Sequence, residues 1–463
     1  MVTPRGVRPA ARAGGDGNRM DIGGPDDYAV RGGPGMLCPT PTPKEDAMND
    51  PFRLSSRAQR RRPSPIRELV RYMGMPGMLS LGGGYPNPRT FAFARVQVDL
   101  AGGGPPLVLE GTELERATQY GATEGLPALT ERLAAWQRFK DGVELPAGGL
   151  VVLNGSQEGL YILADLLLDE GDEVLVCEPT YPGALAAFRS FTDRFVAVPL
   201  DAAGMRTDLL AELLDGRAAR GEPLPRFIYT IVSGHNPAGV TLSEPRRRQL
   251  CEVARRHGIP IVEDDPYELV QLEEAPRPPT LQALAPELVV RLDSFSKILC
   301  PGLRLGYASG PAAAIRAIVL HKQASNLHTS TFAQALLAAY LRADGPEGLL
   351  ARIRKNVELY RRNRDAMVAG ARRHLPEDVR FQVPGAGMFL WFDLPAGFDG
   401  ERMLREDAEA LGVVLVPGAH FSTQGGCRNA LRASFSMLDP ERADEAMRRF
   451  GEMVQRERAR VAG

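Results

Sequence analysis

The chain has 463 residues, 44% of them hydrophobic, with 56 basic and 57 acidic side chains and a formal net charge of -1. That length allows about two or three domains around a large core, and the balanced charge gives no field to draw the protein to nucleic acid or a membrane. Cys38, Cys177, Cys251, Cys300 and Cys427 are scattered without a CxxC pair, the six histidines lack metal-ligand spacing, and no apolar run approaches the ~20 residues of a spanning helix. The expectation is a cytoplasmic protein with reduced thiols, no metal and no membrane segment.

Residues 1–56 read as a disordered tail, because Gly, Pro and Arg dominate and no hydrophobic period appears. No apolar stretch there resembles a secretion signal, and Asp16, Asp21, Asp26 and Asp27 oppose an acid-poor transit peptide. Met36 or Met48 is a candidate start. Residues 57–105 read as an N-terminal segment and part of a small domain. Within it, Arg57 to Arg62 reads as a solvated charge cluster. The glycines of Leu81-Gly82-Gly83-Gly84-Tyr85-Pro86-Asn87-Pro88 allow backbone to approach a ligand closely. No GxGxxG opens a helix and no Walker GK[ST] occurs, so nucleotide-binding loops are not indicated.

Residues 106–340 read as the large domain, with strands and helices alternating from about residue 118. Leu150 to Leu153, Glu173 to Cys177, Phe227 to Val232, Ile259 to Val262 and Leu288 to Leu292 are predicted strands, each followed by a polar cluster. Ser243 is placed as a helix cap, with Pro245 in the first turn and Gly258 closing the helix. Such alternation predicts an α/β fold with a mostly parallel sheet between helices and a ligand at the strands' carboxyl ends. Helical patterns fill Pro311 to about Leu375. Residues 341–463 read as a smaller α+β domain, with strands near Val379, Met388, Val413 and Leu431 and a last helix starting at Asp439-Pro440.

The stretch Asp293-Ser294-Phe295-Ser296-Lys297, followed by Arg304, carries the chemistry. A lysine in a dry pocket loses proton affinity and becomes competent to form a Schiff base. Two serine hydroxyls and a guanidinium beside it suit a phosphate dianion. An aldehyde and a phosphate on one small molecule describe pyridoxal 5'-phosphate. Its ring nitrogen needs a carboxylate to stay protonated; Asp264 is the leading candidate, with Asp265 and Glu263 as rivals. Tyr267 and Asn236 are placed to reach the ring oxygen, and Tyr181 to stack on its face. The helix opening at Ser156 offers N–H groups to the phosphate. Arg432, on a half-buried strand, calls for an anion such as a substrate carboxylate.

In the order Tyr120, Gly155-Ser156-Gln157, Tyr181, Asn236-Pro237-x-Gly239, Asp264-x-x-Tyr267, Ser294-x-Ser296-Lys297, Arg304 and Arg432, the chain resembles class I/II aminotransferases of fold type I. It is closest to their kynurenine/2-aminoadipate branch. The resemblance implies an aspartate aminotransferase-like large domain with a seven-stranded-type sheet plus the smaller domain. It implies that Lys297 holds the cofactor and shuttles a proton, and that Asp264 pairs with the ring nitrogen. Asn236 and Tyr267 hold the ring oxygen. Ser156, Gln157, Ser294, Ser296 and Arg304 bind phosphate, and Arg432 binds the substrate carboxylate. Tyr120 would reach the partner subunit's phosphate, which implies a homodimer with shared sites. Arg61 would meet a distal substrate group, and Gly84, Tyr85, Phe389 and Phe421 would line the substrate side. His235 and Tyr85 depart from the family pattern. Substrates are then an amino acid and a 2-oxo acid in a ping-pong transfer. The alternatives are another reaction of the same cofactor, such as a lyase, or a regulator with an aminotransferase-like domain, for which residues 1–56 offer no helix-turn-helix.

Overall fold

The computed structural model describes residues 51–65, 77, 79, 81, 82 and 84–462. The expected tail over residues 1–50, the candidate starts Met36 and Met48, and Gly83 lie outside the described residues. Residues 42–63 with 85–463 form one compact unit. A second unit takes in residues 1–41 and 64–84, of which seven, Gly84 among them, are described.

The main unit opens with an antiparallel hairpin, β1 (Arg95–Val98) and β2 (Leu107–Glu110). Its large sheet contains β3 (Leu150–Leu153), β4 (Val174–Glu178), β5 (Phe195–Asp201), β6 (Gly204–Met205), β7 (Phe227–Thr230), β8 (Ile261–Asp264), β9 (Val289–Ser294) and β10 (Gly306–Ser309). The spatial order is β3-β10-β9-β8-β7-β4-β5-β6. Strands β9, β8, β7, β4 and β5 run parallel, β10 is antiparallel to both its neighbours, and β6 is a two-residue antiparallel edge. Seven full strands and a short edge strand therefore answer the seven-stranded expectation.

The central strands read as near-continuous apolar runs because helices cover both faces. Phe227, Ile228 and Tyr229 in β7 are fully buried, as are Ile261 and Val262 in β8. Pro245 and left-handed Gly258 bound the helix Glu244–His257. Ser243 occupies its cap position but its side chain makes no capping hydrogen bond, so the predicted boundary holds without the predicted cap.

The smaller sheet is all antiparallel, with β11 (Arg380–Phe381), β12 (Phe389–Asp393), β13 (Val416–Pro417) and β14 (Ala430–Ser434) in the order β11-β12-β14-β13. The helix Gly400–Leu411 beside it is capped by Asp399, which accepts from the N–H groups of Glu401 and Arg402, a contact contributing about 1 kcal/mol. The helical stretch predicted from Pro311 to Leu375 is interrupted twice. Residues 326–330 form a turn after the helix Ala312–Ser325, and Gly345 (φ 66°, ψ 176°) with Pro346 breaks the long helix Thr331–His374. Gly345-Pro346 carries the two residue types least compatible with a continuous helix.

The basic run at Arg57 is only partly solvated. Arg57 and Arg61 both engage Asp165, and Arg57 also donates to the Leu168 carbonyl at 2.6 Å. The buried acceptor Asp165 recruits them, which the local charge pattern does not reveal.

Candidate active site

Strand alternation sorts the acidic run Glu263-Asp264-Asp265 to two sides of β8, since successive side chains point to opposite faces. Glu263 accepts from the N–H groups of Leu281 and Gln282 at 2.9 and 3.1 Å and pairs with Arg291 at 3.0 Å. Asp265 accepts from Ser233 Oγ at 2.9 Å. On the other face, Asp264 Oδ2 accepts from Tyr229 Oη at 3.0 Å, while Oδ1 is buried with no partner. Burial foremost pushes the Asp264 carboxyl up to about 7. A buried oxygen without a donor is costly, and a ring N–H cation is a group that would satisfy it. Asp265 also has one buried oxygen without a hydrogen-bond partner. Glu263 and Asp265, however, lie 3.0 and 3.7 Å from Arg291, whereas Asp264 has no ion pair among the described residues; that difference separates Asp264 from its two rivals.

Beneath the strand ends lies a buried ionic network that sequence reasoning missed. Arg291 meets Glu263, Glu268 at 2.7 Å and Asp293 at 2.9 Å, and Lys140 meets Glu268 at 2.9 Å and Asp293 at 3.3 Å. Burial alone would raise Glu268; Lys140 and Arg291 outweigh it and hold the carboxyl well below its usual range. Network residues alternate in the chain with those facing the site: Glu263 and Asp265 flank Asp264, Glu268 follows Tyr267, and Asp293 precedes Ser294. The available signal was Arg291 inside an apolar strand. Tyr229 was also missed, although a tyrosine in a fully buried strand needs a partner for its hydroxyl.

A cluster of hydrogen-bonding groups assembles around Arg304. Its Nη1 donates to Ser296 Oγ at 3.3 Å and its Nη2 to the Asn154 carbonyl at 3.2 Å. Ser294 Oγ accepts from the Ser296 N–H at 3.2 Å. The helix Ser156–Leu167 begins beside them and leaves its first N–H groups without intrahelical partners. Gly155 (φ 78°) permits this approach, since a Cβ there would stand 2.5 Å from Arg304 Nη2. Arg304, the two serines and the opening of this helix are therefore neighbours, a combination of donors that suits a phosphate.

Lys297 belongs to the same cluster. Burial, then the Arg304 and Arg432 guanidiniums, hold its ammonium below the ordinary lysine value, which favours a nucleophilic amine. Tyr181 Oη lies 3.5 Å from Gln157 Oε1, and Gln157 Nε2 donates to the Gly183 carbonyl at 2.7 Å. Burial and then the Asp264 carboxylate raise the Tyr181 phenol, with Arg432 and Arg304 opposing. Tyr267 is buried, its ring edge-on to Phe389 at 5.8 Å.

Arg432, on β14, donates from Nη1 to Asn236 Oδ1 at 2.8 Å, joining the small sheet to the loop after β7. Its guanidinium lies over Phe389 at 4.3 Å and Phe421 at 5.0 Å, and its Nε is buried without a partner. Those two rings pack on the guanidinium and fix its orientation. His235 is buried, its Nδ1 has no partner, and burial pushes it down to about 3, so the imidazole is neutral.

Three predicted residues, Tyr120, Tyr85 and Arg61, share no hydrogen bond, ion pair or ring contact with this cluster among the described residues, and one falls in the other unit. Tyr120 is exposed, edge-on to Tyr85 at 6.1 Å and to His328 at 6.0 Å. Arg61 is not brought to the site: Asp165 holds its guanidinium, nine residues and about 13 Å along the helix axis from Ser156. Gly84 belongs to the separately described unit. Among the described residues, no group of His, Cys, Asp and Glu forms a metal cluster.

The family model for aminotransferase class I and II matches residues 110–450. The aromatic-amino-acid aminotransferase 1 of Thermococcus litoralis is 35% identical over 87% of this chain and 94% of its own length. The mitochondrial kynurenine/alpha-aminoadipate aminotransferase of Bos taurus is 34% identical over 87% of this chain and 98% of its own. The structure of Pyrococcus horikoshii kynurenine aminotransferase superposes with a TM-score of 0.70 at 32% identity, covering 87% of this chain and 97% of that one. With a lysine of lowered basicity, a half-satisfied buried carboxylate and an anion cup already in place, the chain belongs to the class I and II aminotransferases and is a pyridoxal 5'-phosphate-dependent transaminase.

Proposed function

We propose that the enzyme moves the amino group of an aromatic amino acid, kynurenine or 2-aminoadipate to a 2-oxo acid, 2-oxoglutarate first among them, by ping-pong exchange. The partnerless Asp264 Oδ1 opposite a Tyr229-bound Oδ2 carries the reading. Asp264 would keep the ring nitrogen cationic, Tyr181 would cover the ring face, and Asn236 with Tyr267 would hold the ring oxygen. Ser156, Gln157, Ser294, Ser296 and Arg304 would hold the phosphate. Bound there, the cofactor supplies an aldehyde that takes up amines and a ring that absorbs the electrons released at the substrate's α-carbon.

Lys297 Nζ takes the α-proton and returns it, and its lowered basicity suits both duties. Arg432 receives the substrate carboxylate through its unpartnered Nε side, held in place by Asn236, Phe389 and Phe421. The relatives' names motivate the donor classes: one acts on aromatic amino acids, another on kynurenine and alpha-aminoadipate. Tyr85, where the family pattern favours a leucine, narrows the substrate side. The exposure of Tyr120 supports a homodimer in which it serves the partner's phosphate. The free cysteines Cys177, Cys251, Cys300 and Cys427 suit the cytoplasm.

An amino-donor screen with 2-oxoglutarate tests the proposal. Glutamate and the cognate oxo acid should appear in equal amounts, with aromatic, kynurenine or aminoadipate donors fastest. Ammonia release without glutamate would favour a lyase instead.

A further inference from the structure

Glu158 stands in the first turn of the helix that opens at Ser156. A carboxylate there would repel a bound phosphate, yet its position is built with care. Glu158 Oε2 accepts from the Asn154 N–H at 2.6 Å, so it holds one side of the residue whose carbonyl Arg304 holds on the other. Lys322 Nζ reaches both Glu158 oxygens, at 2.9 and 3.0 Å, and Asn326 Nδ2 donates to Oε1.

Lys322 comes from the helix Ala312–Ser325, and its side chain has 0% exposure. Its Nζ also donates to Thr329 Oγ1 at 3.2 Å, which donates in turn to the Val152 carbonyl at 3.1 Å. The turn after that helix then places His328, whose Nε2 accepts from the Gly121 N–H at 3.3 Å beside Tyr120. Lys322 and its turn thus touch both chain segments assigned to phosphate, the one before Ser156 and the one carrying Tyr120.

We propose that Lys322 is a positioning residue of the phosphate cup, whose ammonium cancels Glu158 so that this carboxylate can fix the Asn154 backbone without repelling the cofactor phosphate. The proposal rests on the phosphate reading of Ser156, Ser294, Ser296 and Arg304 given above. A purely structural ion pair would lose stability when either partner is removed and would treat the two losses alike. Charge balance instead gives them opposite signs at the phosphate.

The test uses the full-length protein stripped of cofactor, with Glu158→Gln, Lys322→Met and the double variant, and inorganic phosphate and unphosphorylated pyridoxal as probes. Glu158→Gln should bind phosphate as tightly as the wild type or tighter. Lys322→Met should bind it about tenfold weaker or worse, and the double variant should return to within roughly threefold of the wild type. Pyridoxal affinity should stay level throughout. If thermal melting shows that Lys322→Met does not fold, Glu158→Gln and the double variant decide, because charge balance requires that Glu158→Gln not weaken phosphate and that the double variant weaken it by no more than roughly threefold. Equal weakening by Glu158→Gln and Lys322→Met, or a double variant no better than Lys322→Met, would overturn the proposal. Phosphate affinity unmoved by Arg304→Ala would instead overturn the cup assignment and this inference with it.

Discussion

Tyr229 donates to one oxygen of Asp264 at 3.0 Å and leaves the other buried and unpaired. The pair sits across neighbouring strands, β7 and β8, and prepares a carboxylate to receive one cation from one direction. Without the cofactor that carboxylate is destabilised, chiefly by burial.

Asp264→Asn should therefore separate stability from catalysis. The Asp264 carboxyl rises from 3.8 to about 7 on folding, so the folded chain holds its proton where the unfolded chain has lost it. The penalty is absent below about pH 4, grows as pH rises and is complete above about pH 7, reaching at most about 4 kcal/mol. Urea unfolding of cofactor-free protein at pH 5 and pH 8 should show the variant gaining on the wild type at the higher pH. Transamination should fall by about a hundredfold or more, because an amide cannot balance a ring cation. A pH-independent stability difference would count against the buried carboxylate.

Lys297→Ala should abolish turnover and remove the cofactor's visible absorbance from purified protein. Transamination retained by this variant would overturn its assignment.

Arg432→Lys should spare cofactor binding and damage substrate binding. An ammonium cannot keep both the Asn236 contact and a forked grip on a carboxylate. Losing about 1.5–3 kcal/mol of charged hydrogen bonding corresponds to a roughly ten- to hundredfold fall in kcat/KM. Steady-state kinetics with cofactor titration checks this, and an unchanged KM would remove Arg432 from substrate recognition.

Arg61→Ala should act on stability. Its half-buried pair with Asp165 ties the N-terminal segment to the helix Ser156–Leu167, and its loss should cost about 1–2 kcal/mol in chemical denaturation. The ratio of turnover with acidic and aromatic donors should hold steady. A changed ratio would return Arg61 to substrate recognition.

The site was legible because its residues sit where apolar strands end. Lys297, Asp264 and Arg304 each follow or precede a strand-like run, and polar groups there invite a ligand reading. Glu158 and Lys322 were hidden because 164 residues separate them and each looks ordinary on a helix. Lys140 and Glu268, 128 residues apart, were hidden the same way. β5 escaped because Phe195–Asp201 is only partly buried and ends in Pro-Leu-Asp, a weak strand signal. Asp165, a tertiary partner that no local pattern encodes, accounts for where the Arg61 guanidinium lies.

The alternation along β8 also restricts how this enzyme can change. Glu263, Asp264 and Asp265 are chemically similar, yet two pair with Arg291 and Asp264 faces Tyr229 on the other side. Inserting or deleting one residue in that strand would exchange the two faces at a stroke, burying a charge among the wrong neighbours and emptying the place opposite the ring. A change of length is far better tolerated in the connections beyond the strand ends than within β8 itself.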